Sequence, residues 1–187
     1  MSGETKAGTL FLVAGPSGAG KDSLLGRAAA ALRHEPRFHF PRRSITRPQA
    51  AEDEPHISIS EAEFTRLERQ NRFALSWRAH GLAYGVPASI TGLLADGQHV
   101  IVNVSRGVII EARQRYGPVH VIYVSASQAA LRQRLVRRGR ESAADREARI
   151  ARALAYPLPG PPISVIDNSG ALEDAAEHFL RVLRKAP

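Results

Sequence analysis

Cysteine is absent from this chain of 187 residues, so the chain can form neither disulfides nor thiolate metal sites. That absence fits a reducing compartment, and we expect the protein in the cytoplasm. Lysine is scarce as well, at positions 6, 21 and 185, and the other basic residues are arginines. The longest apolar runs have the length of a strand and residues 1–8 are polar, so we expect neither a membrane span nor a signal peptide.

Acidic residues are in the minority, because 18 of them stand against 26 basic residues for a formal net charge of +8. An arginine-rich surface suits nucleic acid or small substrates that carry several phosphates, and an arginine bias without functional meaning is the alternative. The sequence lacks a groove-reading motif and has no aromatic residues interleaved with basic ones. We therefore expect a small phosphorylated partner, no nucleic acid and no membrane. The oligomeric state stays open, and a dimer is compatible with the sequence.

A glycine-rich segment is the strongest motif of the chain. It follows an apolar run at 10–14, which predicts a buried strand, and it leads into apolar residues at helical spacing over 22–32. Strand, loop and helix are the setting in which the pattern G-x-x-x-x-G-K binds phosphates, through backbone amides, a helix N-terminus and a lysine. A glycine-rich turn that binds nothing is the alternative. The residues expected to hold a nucleoside triphosphate here are Gly15, Pro16, Ser17, Gly18, Ala19, Gly20, Lys21, Asp22 and Ser23.

The residue after Lys21 departs from the usual pattern. Phosphate-binding loops place Ser or Thr there to hold Mg²⁺, whereas this chain has Asp22 and brings its hydroxyl one residue later, at Ser23. We expect Ser23 to supply a hydroxyl near Mg²⁺ and Asp22 to hold the ion through water. In the alternative, Asp22 only complements the partial positive charge of the helix N-terminus.

Strands and helices alternate along the rest of the chain, which has 43% hydrophobic residues, enough for a single packed domain. The pattern predicts a doubly wound α/β sheet, with ligands at the carboxyl ends of its strands. Pro87 is predicted to start a helix. The other predicted strands lie at 38–45, at 99–104, 119–124 and 164–167, and as a pair within 73–84. The other predicted helices lie at 60–70, 105–116, 127–138 and 171–184, and one runs to about 156.

The segment between the first helix and Pro87 adds further motifs. It contains R-S-I-T-R-P at 43–48 and F-A-L-S-W-R-A-H-G-L-A-Y-G-V at 73–86. The frame resembles the guanylate kinases, which share the phosphate loop, a T-R-P-like turn, an acceptor-binding insertion, a Y-G turn and an arginine lid. Leu75 and Val86 stand where guanylate kinases carry the glutamate and the hydroxyl residue that read guanine. An apolar pair cannot recover those contacts, so the resemblance implies a nucleoside-monophosphate-kinase-like fold whose acceptor has no guanine.

A second resemblance is closer and extends over residues 9–183. Six motifs together resemble the ribose 1,5-bisphosphate phosphokinases, a family of phosphonate breakdown. The resemblance implies a P-loop kinase that uses ATP and Mg²⁺ to convert ribose 1,5-bisphosphate into 5-phospho-α-D-ribose 1-diphosphate and ADP. The motifs are G-K-D-S-L-L at 20–25, R-x-I-T-R at 43–47, L-S-W-x-A-x-G-L-x-Y-G-V at 75–86, V-N-x-S-R at 102–106, L-R-Q-R-L-x-x-R-G-R-E at 131–141 and D-N-S-G at 167–170.

The resemblance also implies a division of the chain and a set of roles. We expect one kinase domain over 1–187, with its core at 9–45 and 87–187, an acceptor-binding insertion at about 46–86 and a lid at about 138–146. A lid of this kind closes over the nucleotide and excludes water. The implied catalytic residues are Lys21, Arg138 and Arg149; Arg134 and Asn168 would join the loop in binding ATP; and Arg43, Arg47, Glu54, His56 and Tyr84 would bind the acceptor.

Blander interpretations of these residues stay open. The lid arginines could belong to a solvated basic helix, Glu54 to a solvated loop and Asn168 to a turn. For the whole chain, the alternatives are a guanylate or other nucleoside-monophosphate kinase and a catalytically inactive kinase-like interaction domain. Leu75 and Val86 argue against the first alternative, and the retained Lys21 argues against the second.

Overall fold

The computed structural model describes residues 7–48, 55–138, 160 and 163–185. Their strands form two sheets, and the larger one has five parallel strands in the order β2-β7-β1-β8-β9. The smaller sheet has the order β4-β3-β6-β5. In chain order the strands are β1 Leu10–Ala14, β2 Phe38–His39, β3 Ser44–Ile45, β4 Ile57–Ser58, β5 Phe73–Ala79, β6 Leu82–Pro87, β7 His99–Asn103, β8 Val119–Ser125 and β9 Ile163–Asp167.

Helices connect these strands and cover both faces of the larger sheet, which confirms the predicted doubly wound α/β fold. A short 3₁₀ turn at Arg106–Val108 precedes the fourth helix. None of the helices in the described ranges is long and apolar enough to cross a membrane. The helices are α1 Lys21–Ala31, α2 Glu61–Arg69, α3 Ile90–Ala95, α4 Ile109–Arg115, α5 Gln128–Arg138 and α6 Leu172–Arg184.

The central strand β1 is buried at every position because its neighbours are strands on both edges and helices on both faces. Alternate side chains point to opposite faces. Phe11 and Val13 pack with residues of α1 and α6 in one core cluster. Leu10 and Leu12 belong to the other cluster, which includes residues of α3, α4 and the β5–β6 hairpin. Through this second cluster, which contains Leu10 and Leu12, the smaller sheet packs against the larger one.

The β5–β6 hairpin is closed by a two-residue turn in which His80 and Gly81 have φ values of 53° and 73°. Two positive φ angles match the turn type that suits the twist of a hairpin. Helix α2 packs on this hairpin through Phe64, whose ring stacks on Phe73 with centroids 4.8 Å apart. Ser60 caps α2, since its hydroxyl accepts from the Glu63 amide at 3.1 Å.

Two predicted elements are wrong. The single strand expected over 38–45 is divided into β2 and β3, which belong to different sheets. Pro41 lies between them, and proline cannot donate a hydrogen bond to a ladder. Pro87 does not start a helix: it ends β6 opposite Phe73, and α3 begins at Ile90. The helix expected to run to about 156 lies outside the described residues.

Candidate active site

The phosphate loop connects β1 to α1, and Gly15 and Gly20 at its two ends have backbone angles that favour glycine. Gly15 has a φ of 151°, and a Cβ there would lie 2.2 Å from the carbonyl oxygen of Val124. Gly20 is the N-cap of α1 with a φ of 88°. Because Gly20 brings no side chain to the helix end, the amides of the first turn are available to a ligand. Such a helix start attracts anions.

Lys21 lies across the entry of this loop. Its Nζ donates to the carbonyl oxygens of Gly15 at 3.0 Å and Pro16 at 2.9 Å. These bonds hold a full positive charge beside the backbone amides of the loop. The loop thus combines the amide donors, the helix N-terminus and the ammonium group that phosphates require.

Asp22 is exposed at the start of α1, and a residue of β7 orients it. The Nδ2 of Asn103 donates to the Oδ1 of Asp22 at 3.0 Å. Asn103 is 7% exposed and ends β7, next to the strand that leads into the loop. The next hydroxyl, that of Ser23, is exposed on the same helix turn. The first turn of α1 therefore presents one oriented carboxylate, Asp22, followed by the exposed hydroxyl residue Ser23.

These oxygen atoms fit Mg²⁺, which proteins bind through one or two carboxylates together with water and substrate phosphates. Within the described ranges, no cluster of three or more histidine, cysteine, aspartate or glutamate residues could hold a metal ion. A dedicated protein cage for a metal is thus missing from that part of the chain, and the donor set suits an ion that arrives with a polyphosphate.

Asn168 and Arg134 contact the back of the loop. The Nδ2 of Asn168 donates to the carbonyl oxygen of Ala19 at 2.7 Å. The Nη1 of Arg134 donates to the same carbonyl at 3.4 Å, and its Nη2 donates to the carbonyl of Asn168 at 2.7 Å. The end of β9, helix α5 and the loop meet at the Ala19 carbonyl.

The smaller sheet presents an apolar and aromatic face toward the second core cluster. Leu75 and Val86 are opposite each other on β5 and β6, and both are 0% exposed. The next pair is Trp77 and Tyr84, whose rings stack with centroids 5.3 Å apart and planes 4° apart. The guanidinium of Arg43 lies 5.9 Å from the Trp77 ring and 5.6 Å from the Tyr84 ring. Arg43 is 7% exposed, so this cation is held among aromatic rings.

Arg47 and His56 are joined by a hydrogen bond. The Nε2 of His56 lies 3.1 Å from the carbonyl oxygen of Arg47, and Nε2 must carry the proton because a carbonyl can only accept. The hydroxyl of Ser58 donates to the same carbonyl at 2.7 Å. His56 is 6% exposed. Its observed contact thus orients the segment that carries Arg47.

Comparison with known proteins identifies the family. The chain is 49% identical to ribose 1,5-bisphosphate phosphokinase PhnN of Acidiphilium cryptum over 179 residues, which are 95% of this chain and 93% of that protein. It is 43% identical to the protein of the same name from Brucella melitensis over 185 residues, 99% of this chain and 96% of that protein. The chain belongs to the ribose 1,5-bisphosphate phosphokinase family. The resemblance inferred from the sequence motifs is confirmed.

Solved structures show the fold of this phosphokinase family member. A guanylate kinase from Anaplasma phagocytophilum matches with a TM-score of 0.64 at 17% identity, covering 96% of this chain and 86% of that one. A gluconokinase from Sinorhizobium meliloti matches with a TM-score of 0.53 at 16% identity, covering 96% and 93%. The chain matches no protein-family model. The predicted P-loop kinase fold is thus confirmed.

In this phosphokinase family member the structure brings several predicted site residues together. The loop contacts Arg134 and Asn168, Arg43 lies beside Tyr84, and His56 bonds the carbonyl of Arg47. Asp22 bonds to Asn103, which was not a predicted site residue. Glu54 and Arg149 lie outside the described residues, together with most of the expected lid. Arg138 is the last residue of α5, and its side chain is not among those described.

The role of Asn103 was missed at the level of the sequence. Its motif, V-N-x-S-R, carried the family resemblance but suggested no contact. The available signal was its position as the first strongly polar residue after a β-branched run in a strand. Asn103 pairs in register with Val13 of β1, which brings it to the side of the loop.

Proposed function

We propose that this protein transfers the γ-phosphoryl group of ATP to the 1-phosphate of ribose 1,5-bisphosphate, giving 5-phospho-α-D-ribose 1-diphosphate and ADP. The names of its full-length relatives support this activity. The structural observation that carries the proposal is the Leu75–Val86 pair. The chain keeps a phosphate loop with its lysine but offers an apolar, fully buried pair at the positions that read guanine in guanylate kinases.

The Leu75–Val86 pair argues against a purine acceptor. Reading a base requires groups that donate or accept hydrogen bonds, and sites built on such groups discriminate strongly against ligands that lack the partner. Leucine and valine side chains supply neither donors nor acceptors. An acceptor without a base, such as a sugar bisphosphate, needs no such contact and relies on charge instead.

The reaction itself requires little covalent help from the protein. An oxygen of the 1-phosphate attacks the γ-phosphorus of ATP, and the bond from that phosphorus to the β–γ bridging oxygen breaks, so ADP leaves. The attacking oxygen is already ionised near neutral pH, so a general base is not needed. Catalysis then depends on positioning and on neutralising charge. This fits a site supplied with arginine, lysine and backbone amides.

The loop from Gly15 to Lys21 would bind the β- and γ-phosphates of ATP. The ammonium of Lys21 would stay in contact with the phosphoryl group during its transfer. Arg138 and Arg149 are proposed to contact that group, Arg138 at the start of a lid at about 138–146 and Arg149 from the segment that follows it. The lid would exclude water when it closes. Without such closure ATP would be hydrolysed instead of transferred to the sugar.

Asp22 and Ser23 are the residues proposed to hold Mg²⁺ at the mouth of the loop, Asp22 through water. When bound, Mg²⁺ neutralises charge on the phosphates during transfer. Asn103 holds one oxygen of the Asp22 carboxylate, and the other oxygen can accept from the hydration shell of an ion.

Arg43 and Arg47 are proposed to bind the phosphates of the acceptor, because a guanidinium offers two parallel donors to a phosphate. Tyr84, His56 and Glu54 would assist from the same region, an acceptor-binding insertion at about 46–86. The burial of Arg43 beside the Trp77 and Tyr84 rings limits its rotamers, which lowers the entropy lost when it binds.

Release of ADP tests the proposal. The purified protein, ATP and Mg²⁺ are combined with ribose 1,5-bisphosphate, with GMP, or with no acceptor, and phosphorus NMR identifies the product. We expect a sugar diphosphate with ribose 1,5-bisphosphate and little turnover otherwise. Turnover on GMP alone would favour a guanylate kinase, and no turnover on either acceptor would favour an interaction domain.

A further inference from the structure

We infer that Arg43 binds the 5-phosphate of the acceptor, which is the phosphate that does not react, and that this contact replaces the reading of a base. The inference rests on the proposed function, because it assumes that ribose 1,5-bisphosphate is the acceptor. It assigns one of the two phosphates to one cation and makes Arg43 a residue that determines specificity.

The pairing of the strands places Arg43 beside the Leu75–Val86 pair. Strands β3 and β6 are antiparallel, with Ser44 opposite Gly85. One residue back along the same ladder, Arg43 comes to lie opposite Val86, and Val86 is in turn opposite Leu75 on β5. Side chains that are directly opposite each other lie on the same face of a sheet. Arg43, Val86 and Leu75 therefore form one row across the smaller sheet.

This row lies on the face of the smaller sheet that α2 does not cover. The hydroxyl of Ser76 donates to the Oε1 of Glu68 in α2 at 2.9 Å, and successive side chains of a strand point to opposite faces. Leu75 instead packs in the second core cluster with Ala14, the last residue of β1 before the phosphate loop. Arg43 therefore lies on the side of the smaller sheet that faces the larger sheet.

The surroundings of Arg43 suit a phosphate. Its guanidinium lies within 6 Å of the Trp77 and Tyr84 rings and the residue is 7% exposed. A charge-assisted hydrogen bond is stronger where little water competes for the donor. Leu75 and Val86 add apolar surface to the row but neither donors nor acceptors. One cation in an otherwise apolar row fits an anionic group and does not fit the polar edge of a purine.

The chemistry of the acceptor decides which phosphate reaches this row. A nucleoside monophosphate carries its reacting phosphate on one end of the ribose and its base on the other. Ribose 1,5-bisphosphate carries a second phosphate on the end opposite the reacting 1-phosphate. With the reacting phosphates in the same place, the 5-phosphate lies where the base would lie. Leu75 and Val86 occupy the base-reading positions, and Arg43 is the cation in their row. Arg47 follows β3 at its other end, and it is left for the 1-phosphate.

Removal of the 5-phosphate from the acceptor tests the assignment. Ribose 1-phosphate keeps the reacting phosphate and lacks the one assigned to Arg43. Release of ADP by the full-length protein with ATP and Mg²⁺ gives kcat/KM for each acceptor. For Arg43→Ala we expect kcat/KM to fall at least about tenfold for ribose 1,5-bisphosphate, the effect of a lost charge-assisted hydrogen bond, and to stay unchanged for ribose 1-phosphate. If ribose 1-phosphate turns over too slowly to measure, its inhibition constant against ribose 1,5-bisphosphate replaces kcat/KM.

Two further arginines serve for comparison. Arg47→Ala should lower kcat/KM for both acceptors by a similar factor, because both carry the 1-phosphate. Arg78→Ala is the control. The Arg78 guanidinium lies 5.2 Å from the Phe64 ring of α2, so this variant also removes an arginine beside an aromatic ring, but on the opposite face of the sheet. Its values should match those of the wild type. Thermal unfolding shows whether each variant is folded, and Arg43→Gln, which keeps part of the side chain, replaces Arg43→Ala if the latter is not.

Each outcome has a defined meaning. Equal losses for the two acceptors in Arg43→Ala would overturn the inference and assign Arg43 to the 1-phosphate. No loss for ribose 1,5-bisphosphate, or a loss for ribose 1-phosphate alone, would also overturn it. In these cases wild-type turnover of ribose 1,5-bisphosphate would still support the proposed function. If the wild type released no ADP with ribose 1,5-bisphosphate, the proposed function would fail and the inference with it.

Discussion

At the scale of single residues, a hydrogen bond between Asn103 and Asp22 links the end of β7 to the first turn of α1. It brings a neutral donor and a carboxylate together where two carboxylates would repel each other. Two like charges about 4 Å apart repel by about 1 kcal/mol in water and by more in a desolvated site. The pair therefore keeps a single negative charge at the mouth of the loop.

Exchanging the side chains of Asp22 and Asn103 tests whether Asp22 holds Mg²⁺. Asp22→Asn should raise the Mg²⁺ concentration for half-maximal activity several-fold, because no carboxylate would remain there. Asn103→Asp should also change the Mg²⁺ concentration for half-maximal activity, since it creates two adjacent carboxylates. The double variant Asp22→Asn with Asn103→Asp restores one carboxylate and should recover part of the loss. An Mg²⁺ titration unchanged by Asp22→Asn would reject the metal-binding role of Asp22.

Arg43 and its neighbour Arg42 provide a test variant and a control variant for the proposed acceptor site. Arg43 is buried beside Trp77 and Tyr84, whereas Arg42 is exposed. Arg43→Ala should raise the KM for ribose 1,5-bisphosphate by at least about tenfold, the effect of losing a charge-assisted hydrogen bond, and should leave the affinity for ATP unchanged. Arg42→Ala is the control. Equal effects of the two variants on KM would contradict a specific role for Arg43.

At the scale of elements, the packing of α2 against the β5–β6 hairpin depends on a glycine in the middle of a strand. A Cβ at Gly85 would lie 2.5 Å from the Phe73 ring, and that ring stacks on Phe64 of α2. Because Gly85 has no side chain, the Phe73 ring can lie across β6, and helix α2 packs on that ring.

Gly85→Ala should therefore lower the free energy of unfolding by about 1–3 kcal/mol, the usual cost of overpacking. Gly26 on α1 is the control, because a Cβ there meets nothing within 4 Å. Gly26→Ala should stabilise the protein by about 0.5–1 kcal/mol through helix propensity. Urea unfolding measures both variants, and equal effects would contradict the contact with Phe73.

The elements also show which parts of the molecule the sequence could reveal. The loop, the hairpin and most helices follow local patterns, so their positions could be predicted within a few residues. The division of 38–45 between two sheets could not, because the sheet that each half joins depends on distant strands. The same limit applies to the site: Asp22 and Asn103 are 81 residues apart, and Ala19 and Asn168 are 149 residues apart.

At the scale of the whole molecule, two histidines flank Phe11 on the α1 and α6 side of the larger sheet. The ring centroids of His99 and His120 lie 6.0 and 5.4 Å from that of Phe11. Burial lowers the pKa of His99, and the charge of Arg37 lowers it further. Burial also lowers the pKa of His120. The Nδ1 of His99 accepts from the Thr9 amide at 3.0 Å, which requires an unprotonated nitrogen.

Stability should therefore fall in mild acid. Both histidines have a lower pKa in the folded state than the value of about 6.5 in an unfolded chain, so the unfolded state binds more protons. Their contribution to stability is complete above about pH 6.5 and is lost as the pH falls below it. Urea unfolding between about pH 7.5 and 5.5 should show this decrease.

Substitution identifies the groups responsible for the decrease. His120→Gln should flatten the pH dependence of the unfolding free energy, because it removes one partly buried group whose pKa is lowered in the folded state. The control is His178→Gln, which removes a solvent-exposed histidine of α6 and leaves His99 and His120 beside Phe11 unchanged. Equal slopes for the wild type and His120→Gln would contradict this account.

The contact between Ala19 and Asn168 also bears on biosynthesis. The loop is synthesised before its buried partner, which is made 149 residues later. A nascent chain that ends before β9 would carry the glycine-rich motif without the support of its backbone. We expect tight binding of ATP only after translation has passed β9, so ATP affinity would report that β9 has joined the sheet.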